Sequence, residues 1–190
     1  MHRLFAIIGV SIALAAGGCA QDAVKAEPSP RQKQVAAEFQ KRVNDYMKLR
    51  KKQAGTAPAP SSSPDKLIDA QKALAAKMGV ARANAKQGDI FTPEIAAYFR
   101  NRIAATMKGT QGAKIRSSLR HAEPLHGIAL QVNGTYPAAL PLQSTPASLL
   151  LNLPPLPKEL EYRIVNHDLV LHDIAANLVV DVVPNAIAAP

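Results

Sequence analysis

Two short stretches of this sequence carry residue types that bind metals or transfer protons. The first, HAEPLH, holds His121, Glu123 and His126. Imidazole nitrogens and carboxylate oxygens are zinc ligands, and a zinc site needs three or four of them converging at about 2 Å. Pro124 breaks any helix between the two histidines, and no further ligand pair stands nearby in the sequence. These three residues are therefore weak metal-ligand candidates, and a polar loop is the favoured interpretation.

The second stretch, NHDLVLHD, repeats a His-Asp pair at His167-Asp168 and His172-Asp173. Tandem acids and imidazoles of this kind would suit a metal-dependent hydrolase. In a continuous strand, however, side chains an odd number of residues apart point to opposite faces, so His167 and His172 would diverge. Aspartate is also common in turns, which predicts that Asp168 and Asp173 are turn residues.

Other catalytic patterns are missing from the sequence. There is no G-x-S-x-G nucleophile pattern. The glycines of GTQG lack the following Lys-Ser/Thr pair that completes a phosphate-binding loop. The sequence therefore predicts no cofactor and favours a protein that is not an enzyme.

The only cysteine, Cys19, follows an apolar segment and two glycines. His2 and Arg3 precede the apolar run LFAIIGVSIALAA at residues 4–16, which is the layout of a signal peptide. A helix of that length spans about 20 Å, against a hydrocarbon core of about 30 Å, so translocation is favoured over a membrane span. The stretch AGGC resembles the lipobox of bacterial lipoproteins, in which the cysteine becomes the lipid-modified first residue. Ala16 stands where that motif usually has leucine.

This resemblance implies palmitate and diacylglycerol on Cys19. Because Ala20 rather than aspartate follows the cysteine, it also implies the cell outer membrane, facing the periplasm. The alternative is ordinary signal peptidase, since Ala13-Leu14-Ala15 fits its A-x-A pattern and cleavage there would release a soluble periplasmic protein. A lone cysteine forms no internal disulfide, and its position directly behind a signal sequence favours the lipoprotein.

Charge is divided unevenly along the chain. Residues 20–123 hold 20 Lys or Arg and 9 Asp or Glu, a net +11, whereas residues 124–190 hold 2 and 5, a net −3. Export argues against nucleic acid and favours anionic envelope polymers, the membrane or another envelope protein as partners. A solvated helix surface is the alternative. The candidate anion-binding residues are Lys48, Arg50, Lys51, Lys52, Lys108, Lys114, Arg116 and Arg120.

Apolar spacing predicts helices at residues 31–53, 64–87 and 93–109, followed by a shorter helix that carries Ile115. A Pro/Ser/Ala linker at 54–64 separates the first two. The predicted buried stripes are Val35, Phe39, Val43, Tyr46 and Leu49; Leu67, Leu74, Met78, Ala81 and Ala85; and Ile95, Phe99, Ile103 and Met107.

Residues 124–190 change to the alternation of strands. Three strands are predicted at 160–165, 169–172 and 178–183, joined by short turns into an antiparallel meander whose one apolar face the helices cover. IALQVNGTYP predicts another strand with a turn at Asn133-Gly134, and STPASLLLNLPPLP a brief helix. The larger buried side chains of the meander are predicted to be Tyr162, Ile164, Leu169, Leu171, Leu178 and Val180.

Taken together, the sequence predicts an α+β fold, with an amino-terminal helical hairpin or bundle followed by a small antiparallel β-meander. The predicted organisation is a signal peptide (1–18), a tether (19–30), a basic helical region (31–123) and a β-rich region (124–190) packed on it as one unit. KQGDIFTPEIAAYFR and LPPLPKELEYRIVNHDLVLHDIAANLVVDVV resemble segments of exported bacterial proteins with no assigned activity, which implies export. The predicted role is binding or scaffolding in the envelope, and a periplasmic metal-dependent hydrolase is the alternative.

Overall fold

The structure, a computed structural model, describes residues 27–55, 63–108, 112–120, 130–137 and 145–188. Helices precede a three-stranded antiparallel sheet, which confirms the predicted α+β fold. The predicted signal peptide, Cys19 and most of the tether lie outside the described residues. The helices are α1 (Pro30–Ala54), α2 (Pro64–Ala81), α3 (Pro93–Lys108), α4 (Gly112–Arg120) and the one-turn α5 (Ala147–Leu150). The strands are β1 (Leu160–Val165), β2 (Asp168–Asp173) and β3 (Leu178–Val183).

Helix α1 begins and packs as its sequence predicts. Ser29 forms a capping box with Gln32, in which each side chain accepts a hydrogen bond from the other residue's backbone N–H. Pro30 occupies the first turn, where its missing N–H costs nothing. The predicted stripe is buried at Val35, Phe39, Val43 and Tyr46, and Leu49 is half-buried.

Helix α2 ends six residues earlier than the periodicity predicts. The guanidinium of Arg82, the first residue beyond the helix, donates to the carbonyl oxygen of Val180 at 3.0 Å and to Oδ1 of Asn133 at 2.8 Å. These tertiary bonds hold Arg82 against the sheet, so the chain leaves the helical path. Met78 is buried as predicted, but the predictions for Leu67 and Ala81 were wrong, because Leu67 is 56% exposed and Ala81 is also exposed.

The sheet has the order β1-β2-β3, with Tyr162 opposite Leu171 in the first pair of strands. Tight turns at Asn166 and Asn177 join the strands, and both residues have positive φ, at 54° and 48°. Asparagine tolerates this left-handed conformation better than most residues. The six predicted large side chains of the meander are all buried.

Both faces of the sheet are buried, whereas the sequence predicted one apolar face covered by helices. The helix-facing side includes Leu169 and Leu171, in the main core. The other side forms a second cluster from Tyr136, Val165, Val170, Val179 and Val182. Tyr136 belongs to the described part of the predicted strand IALQVNGTYP. That part is not a strand: it turns at Asn133 and makes only an isolated bridge between Thr135 and Leu178.

A β-bulge in β3 redirects one acidic side chain. Leu171 pairs with Asp181, but the next residue of β2, His172, pairs with Val179, which leaves Val180 as the extra residue. Asp181 therefore shares the helix-facing side with Leu171. Without the bulge, strict alternation from Leu178 would have placed Asp181 on the opposite side.

The main core between helices and sheet is built around four aromatic rings. The Phe39 centroid lies 5.6 Å from that of Phe91 and 4.9 Å from that of Phe99. Tyr162 extends the cluster from β1, with its centroid 5.7 Å from that of Phe99. Phe91 belongs to the connection between α2 and α3, so the position of that connection determines whether the cluster closes.

Burial of both sheet faces gives a stability prediction. Leu171→Ala should cost about 2 to 5 kcal/mol, because a fully buried leucine leaves a cavity. Val170→Ala should cost at least about 1.5 kcal/mol, because its two methyl groups are also fully buried, on the other face. Thermal or urea unfolding of both variants measures this. A Val170→Ala variant as stable as the wild type would show that the second face is open. A Val170→Ala variant less stable than Leu171→Ala would show that the larger core lies on the face that carries His172.

Candidate functional site

The two His-Asp pairs do not converge on one site. His167 is exposed in the turn between β1 and β2, and Asp168 accepts a hydrogen bond from the backbone N–H of Asn185 at 2.9 Å. His172 and Asp173 are adjacent in β2 and project from opposite faces of the sheet. The prediction that both aspartates are turn residues was wrong, because they are the first and last residues of β2.

His172 is buried in a polar cluster on the face away from the helices. Its Nδ1 lies 2.8 Å from Oε1 of Glu161 and its Nε2 lies 3.0 Å from Oδ1 of Asn177. The Tyr136 ring packs on the imidazole, with the centroids 4.8 Å apart. A histidine beside a carboxylate is a common proton-transfer pair. Here both ring nitrogens are already occupied by protein partners, so the imidazole has no free nitrogen for a substrate or metal.

Asp173 is fully buried on the helix-facing side and connects the sheet to α1. Its Oδ2 accepts hydrogen bonds from the Tyr46 hydroxyl at 2.8 Å and from Nε of Arg50 at 2.6 Å. Its Oδ1 accepts from the backbone N–H of Ala176 at 3.1 Å. Burial, followed by the nearby Asp173 carboxylate, raises the pKa of Tyr46 well above its ordinary value. Tyr46 therefore stays a neutral hydrogen-bond donor.

Asp181 is the second fully buried carboxylate, and it connects the sheet to the α2–α3 connection. Its Oδ1 accepts from the N–H of Gly88 at 2.9 Å and of Val182 at 2.8 Å. Its Oδ2 accepts from Ile90 at 2.8 Å and from Phe91 at 2.7 Å. Four backbone donors thus surround one carboxylate, which satisfies the charge without a counter-ion in direct contact.

Arg82 contacts residues beside both aspartates, because it bonds to Val180, the neighbour of Asp181, and packs on Tyr46, the partner of Asp173. Besides its bonds to Val180 and Asn133, its guanidinium lies 5.1 Å from the centroid of the Tyr46 ring, a cation–π contact. Burial lowers the pKa of Arg82, and the negative charges of Asp181 and Asp89 oppose that shift. No buried side-chain nitrogen or oxygen within the described residues lacks a hydrogen-bond partner.

Neither Asp181 nor Arg82 was among the candidate residues predicted from the sequence. A single aspartate within the apolar strand LVVDVV was a usable signal, because a buried charge requires strong partners. Arg82 gave no such signal, since it follows an alanine-rich helix in which an arginine normally reaches solvent.

The candidate anion-binding residues are divided between internal contacts and solvent. Arg50 is engaged within the fold, because its side chain is only 12% exposed and pairs with Asp173. Lys48 lies 2.9 Å from Oδ1 of Asp45 and remains exposed. Arg116 donates to the carbonyl oxygen of Met107 at 2.7 Å. Lys51, Lys52, Lys108 and Lys114 are exposed, and the side chain of Arg120 lies outside the described part.

No group of three His, Cys, Asp or Glu residues that could hold a metal occurs among the described residues. The weak candidates His121, Glu123 and His126 lie outside them. A shallow depression of about 360 Å³ is lined by residues 80–85 and Asp89. Its lining contains no cysteine, serine or histidine. None of the described helices has the length and apolarity that a membrane crossing requires.

The geometry around Asp181 gives a direct prediction. Asp181→Asn keeps the shape but turns an amide N–H₂ toward backbone donors, so it should destabilise the fold by about 3 kcal/mol. Asp89→Asn is the matched control, because the Asp89 carboxylate is half-buried and, among the described residues, accepts a hydrogen bond from one backbone donor, the N–H of Lys86. The control should cost less than about 1 kcal/mol in urea unfolding. Equal stability of the two variants would contradict a structural role for Asp181.

Comparisons with known proteins found no match to this chain. No protein-family model matches it, and neither do any curated protein or solved structure. Its function is therefore inferred from its own residues, distances and charges.

Proposed function

We propose that this protein is an exported, lipid-anchored component of the bacterial cell envelope with a binding or scaffolding role and no catalysis of its own. The proposal of a non-catalytic role rests on one observation, namely that the buried polar side chains are bonded to other groups of the fold. Asp173, Asp181 and His172, the groups best suited to chemistry, each have their partners within the fold. They hold elements together and leave no pair of groups facing a shared cleft.

Charge at the surface supports a binding role. Of the ionisable side chains in α1, those that reach solvent are mainly lysines, and the chain as a whole has a formal net charge of +9. Anionic headgroups and acidic polymers of the envelope are the complementary partners for such a surface. Another envelope protein with an acidic face would also fit this charge.

The anchor and the location are proposed from residues 1–20, whose order of basic residues, apolar run, small residues and Cys19 resembles a lipoprotein signal. Two acyl chains on diacylglycerol and a third on the amino group exceed what stable membrane attachment needs. With Ala20 after the cysteine, the proposed address is the outer membrane, facing the periplasm. Release as a soluble periplasmic protein is the alternative.

The hydrolase alternative needs histidines and acids that converge. His172 and Asp173 project from opposite faces of the sheet, and His167 lies in an exposed turn. A metal site would therefore depend on His121, Glu123 and His126 without help from either His-Asp pair. This dispersal favours the binding protein over the hydrolase.

Lipid attachment is tested at Cys19. The wild-type protein, expressed in a bacterium that processes lipoproteins, should incorporate labelled palmitate and fractionate with membranes, because Cys19 would carry the acyl chains. Cys19→Ala should lose the label and yield a soluble or unprocessed product. Mass spectrometry of the mature amino terminus is the second readout. An unlabelled wild-type chain that begins at Ala16 would overturn the lipid-anchored proposal and favour ordinary signal peptidase.

A further inference from the structure

The lysines of α1 occupy the side of the helix opposite its buried stripe. At about 100° per residue, Lys41, Lys48 and Lys52 lie within about 40° of the direction opposite Phe39, and Lys33 and Lys51 lie within about 60°. All five side chains belong to exposed residues. We call this set the outer lysine face: Lys33, Lys41, Lys48, Lys51 and Lys52.

The arginines of α1 make a different set of contacts. Arg42 donates to the carbonyl oxygen of Asp89 at 2.7 Å, and Arg50 donates to the buried Asp173. Arg31 lies 3.1 Å from Glu94 at the start of α3. Arginine suits such fixed contacts, whereas lysine is a strongly hydrated point charge on a flexible stem. The helix thus uses Arg42 and Arg50 for contacts within the fold, whereas Arg31 and the lysines face solvent.

Acidic residues neutralise this face only in part. Asp45 lies at its edge, 2.9 Å from Lys48, and the Lys48 ammonium lowers the pKa of that carboxyl. Glu27 lies 3.4 Å from Lys33. Beyond Asp45, the next acidic residue in the sequence is Asp65, so the basic end of the helix carries Lys51 and Lys52 without a neighbouring acid in sequence. The face therefore keeps a net positive charge.

We propose that the outer lysine face lies against the surface of an anionic phospholipid bilayer. This rests on the proposed envelope location and specifies which surface of the protein meets the membrane. The lysines from 33 to 52 extend along about 28 Å of a straight helix, which fits a planar charged surface. The other residues of the face include Gln34, Ala37 and Asn44, which are small or polar, so the contact is electrostatic and needs no insertion.

The position of the anchor favours a bilayer over a soluble polymer as the occupant. Ten residues, 20–29, separate Cys19 from the first residue of α1, and an extended chain of that length reaches at most about 35 Å. Because α1 begins only eleven residues after Cys19, its lysines would meet the headgroups at a high effective concentration. Weak attraction by several lysines is then enough to orient the protein.

The test uses the full chain with Cys19→Ala, so that acyl chains do not hold it on the membrane. Binding is measured by co-sedimentation with vesicles of phosphatidylcholine alone and with about 30% phosphatidylglycerol. For each protein, the partition coefficient on vesicles with phosphatidylglycerol is divided by that on phosphatidylcholine alone. Any insertion of residues 4–16 contributes to both coefficients and therefore cancels in this ratio. One variant changes Lys41, Lys48, Lys51 and Lys52 to Gln. The matched control changes Lys66, Lys72, Lys77 and Lys86 to Gln, four exposed lysines on α2 and the segment after it.

The proposal predicts a high ratio for the parent chain that falls at least about tenfold in the α1 variant and much less in the control. It also predicts loss of the ratio at 0.5 M salt, because the Debye length is then only about 4 Å. Equal falls in both variants would overturn it, since net charge alone would then explain binding. Two results with the parent chain alone would also overturn the proposal, so the test does not depend on the variants folding. One is a parent ratio near one, and the other is retention on insoluble peptidoglycan but not on acidic vesicles. The ratio is measured on a chain without acyl groups, so it does not depend on whether the wild-type protein incorporates palmitate. The lipid-anchor proposal and the lysine-face proposal can therefore fail independently.

Discussion

Three hydrogen bonds, from the backbone N–H groups of Gly88, Ile90 and Phe91 to the Asp181 carboxylate, fasten the α2–α3 connection to β3, and the packing of helices against sheet depends on them. A buried carboxylate without partners would be very costly, so burial of Asp181 requires the α2–α3 connection to bring its amides to the sheet. That connection carries Phe91, which stacks on Phe39, and it immediately precedes α3. The Asp181 contacts therefore fix the segment that brings Phe91 into the aromatic core and leads into α3.

Asp173 repeats this arrangement on the neighbouring strand β2. It binds Tyr46 and Arg50 of α1, while Arg82 contacts the Tyr46 ring from beyond α2. The two aspartates are thus points at which polar groups of the helices are fixed to β2 and β3. Both carboxylates are therefore enclosed by partners within the fold. What the protein presents to its surroundings along α1 is a row of lysines.

Much of the fold followed from the sequence because periodicity reports burial. Val35, Phe39 and Val43 recur at helical spacing and are buried, and the alternation of Tyr162 and Ile164 in β1 points them into the main core. The Asn133-Gly134 turn was also predicted. These features depend on local patterns that no tertiary contact overrides.

The features that escaped sequence reasoning depend on long-range contacts. Asp173 looked like a turn residue because its partners, Tyr46 and Arg50, are more than 120 residues away. Helix α2 looked longer because nothing local indicates that Arg82 binds Val180. The bulge at Val180 reverses the alternation in β3, so a strict period of two would have assigned Asp181 to the wrong face. The candidate anion-binding residues were chosen as runs of positive charge, but the structure was needed to show that Arg50 pairs with the buried Asp173 while Lys51 and Lys52 stay exposed.

Native-state hydrogen exchange of the Ile90 and Phe91 amides tests the central claim most directly. Both N–H groups lie outside any helix or strand and bond to Asp181. If the Asp181 contacts hold the helical layer on the sheet, these two amides should exchange as slowly as those of Leu169 and Leu171, through opening of the whole fold. Exchange of Ile90 and Phe91 at the rate of an exposed loop, while the sheet stays protected, would contradict this account.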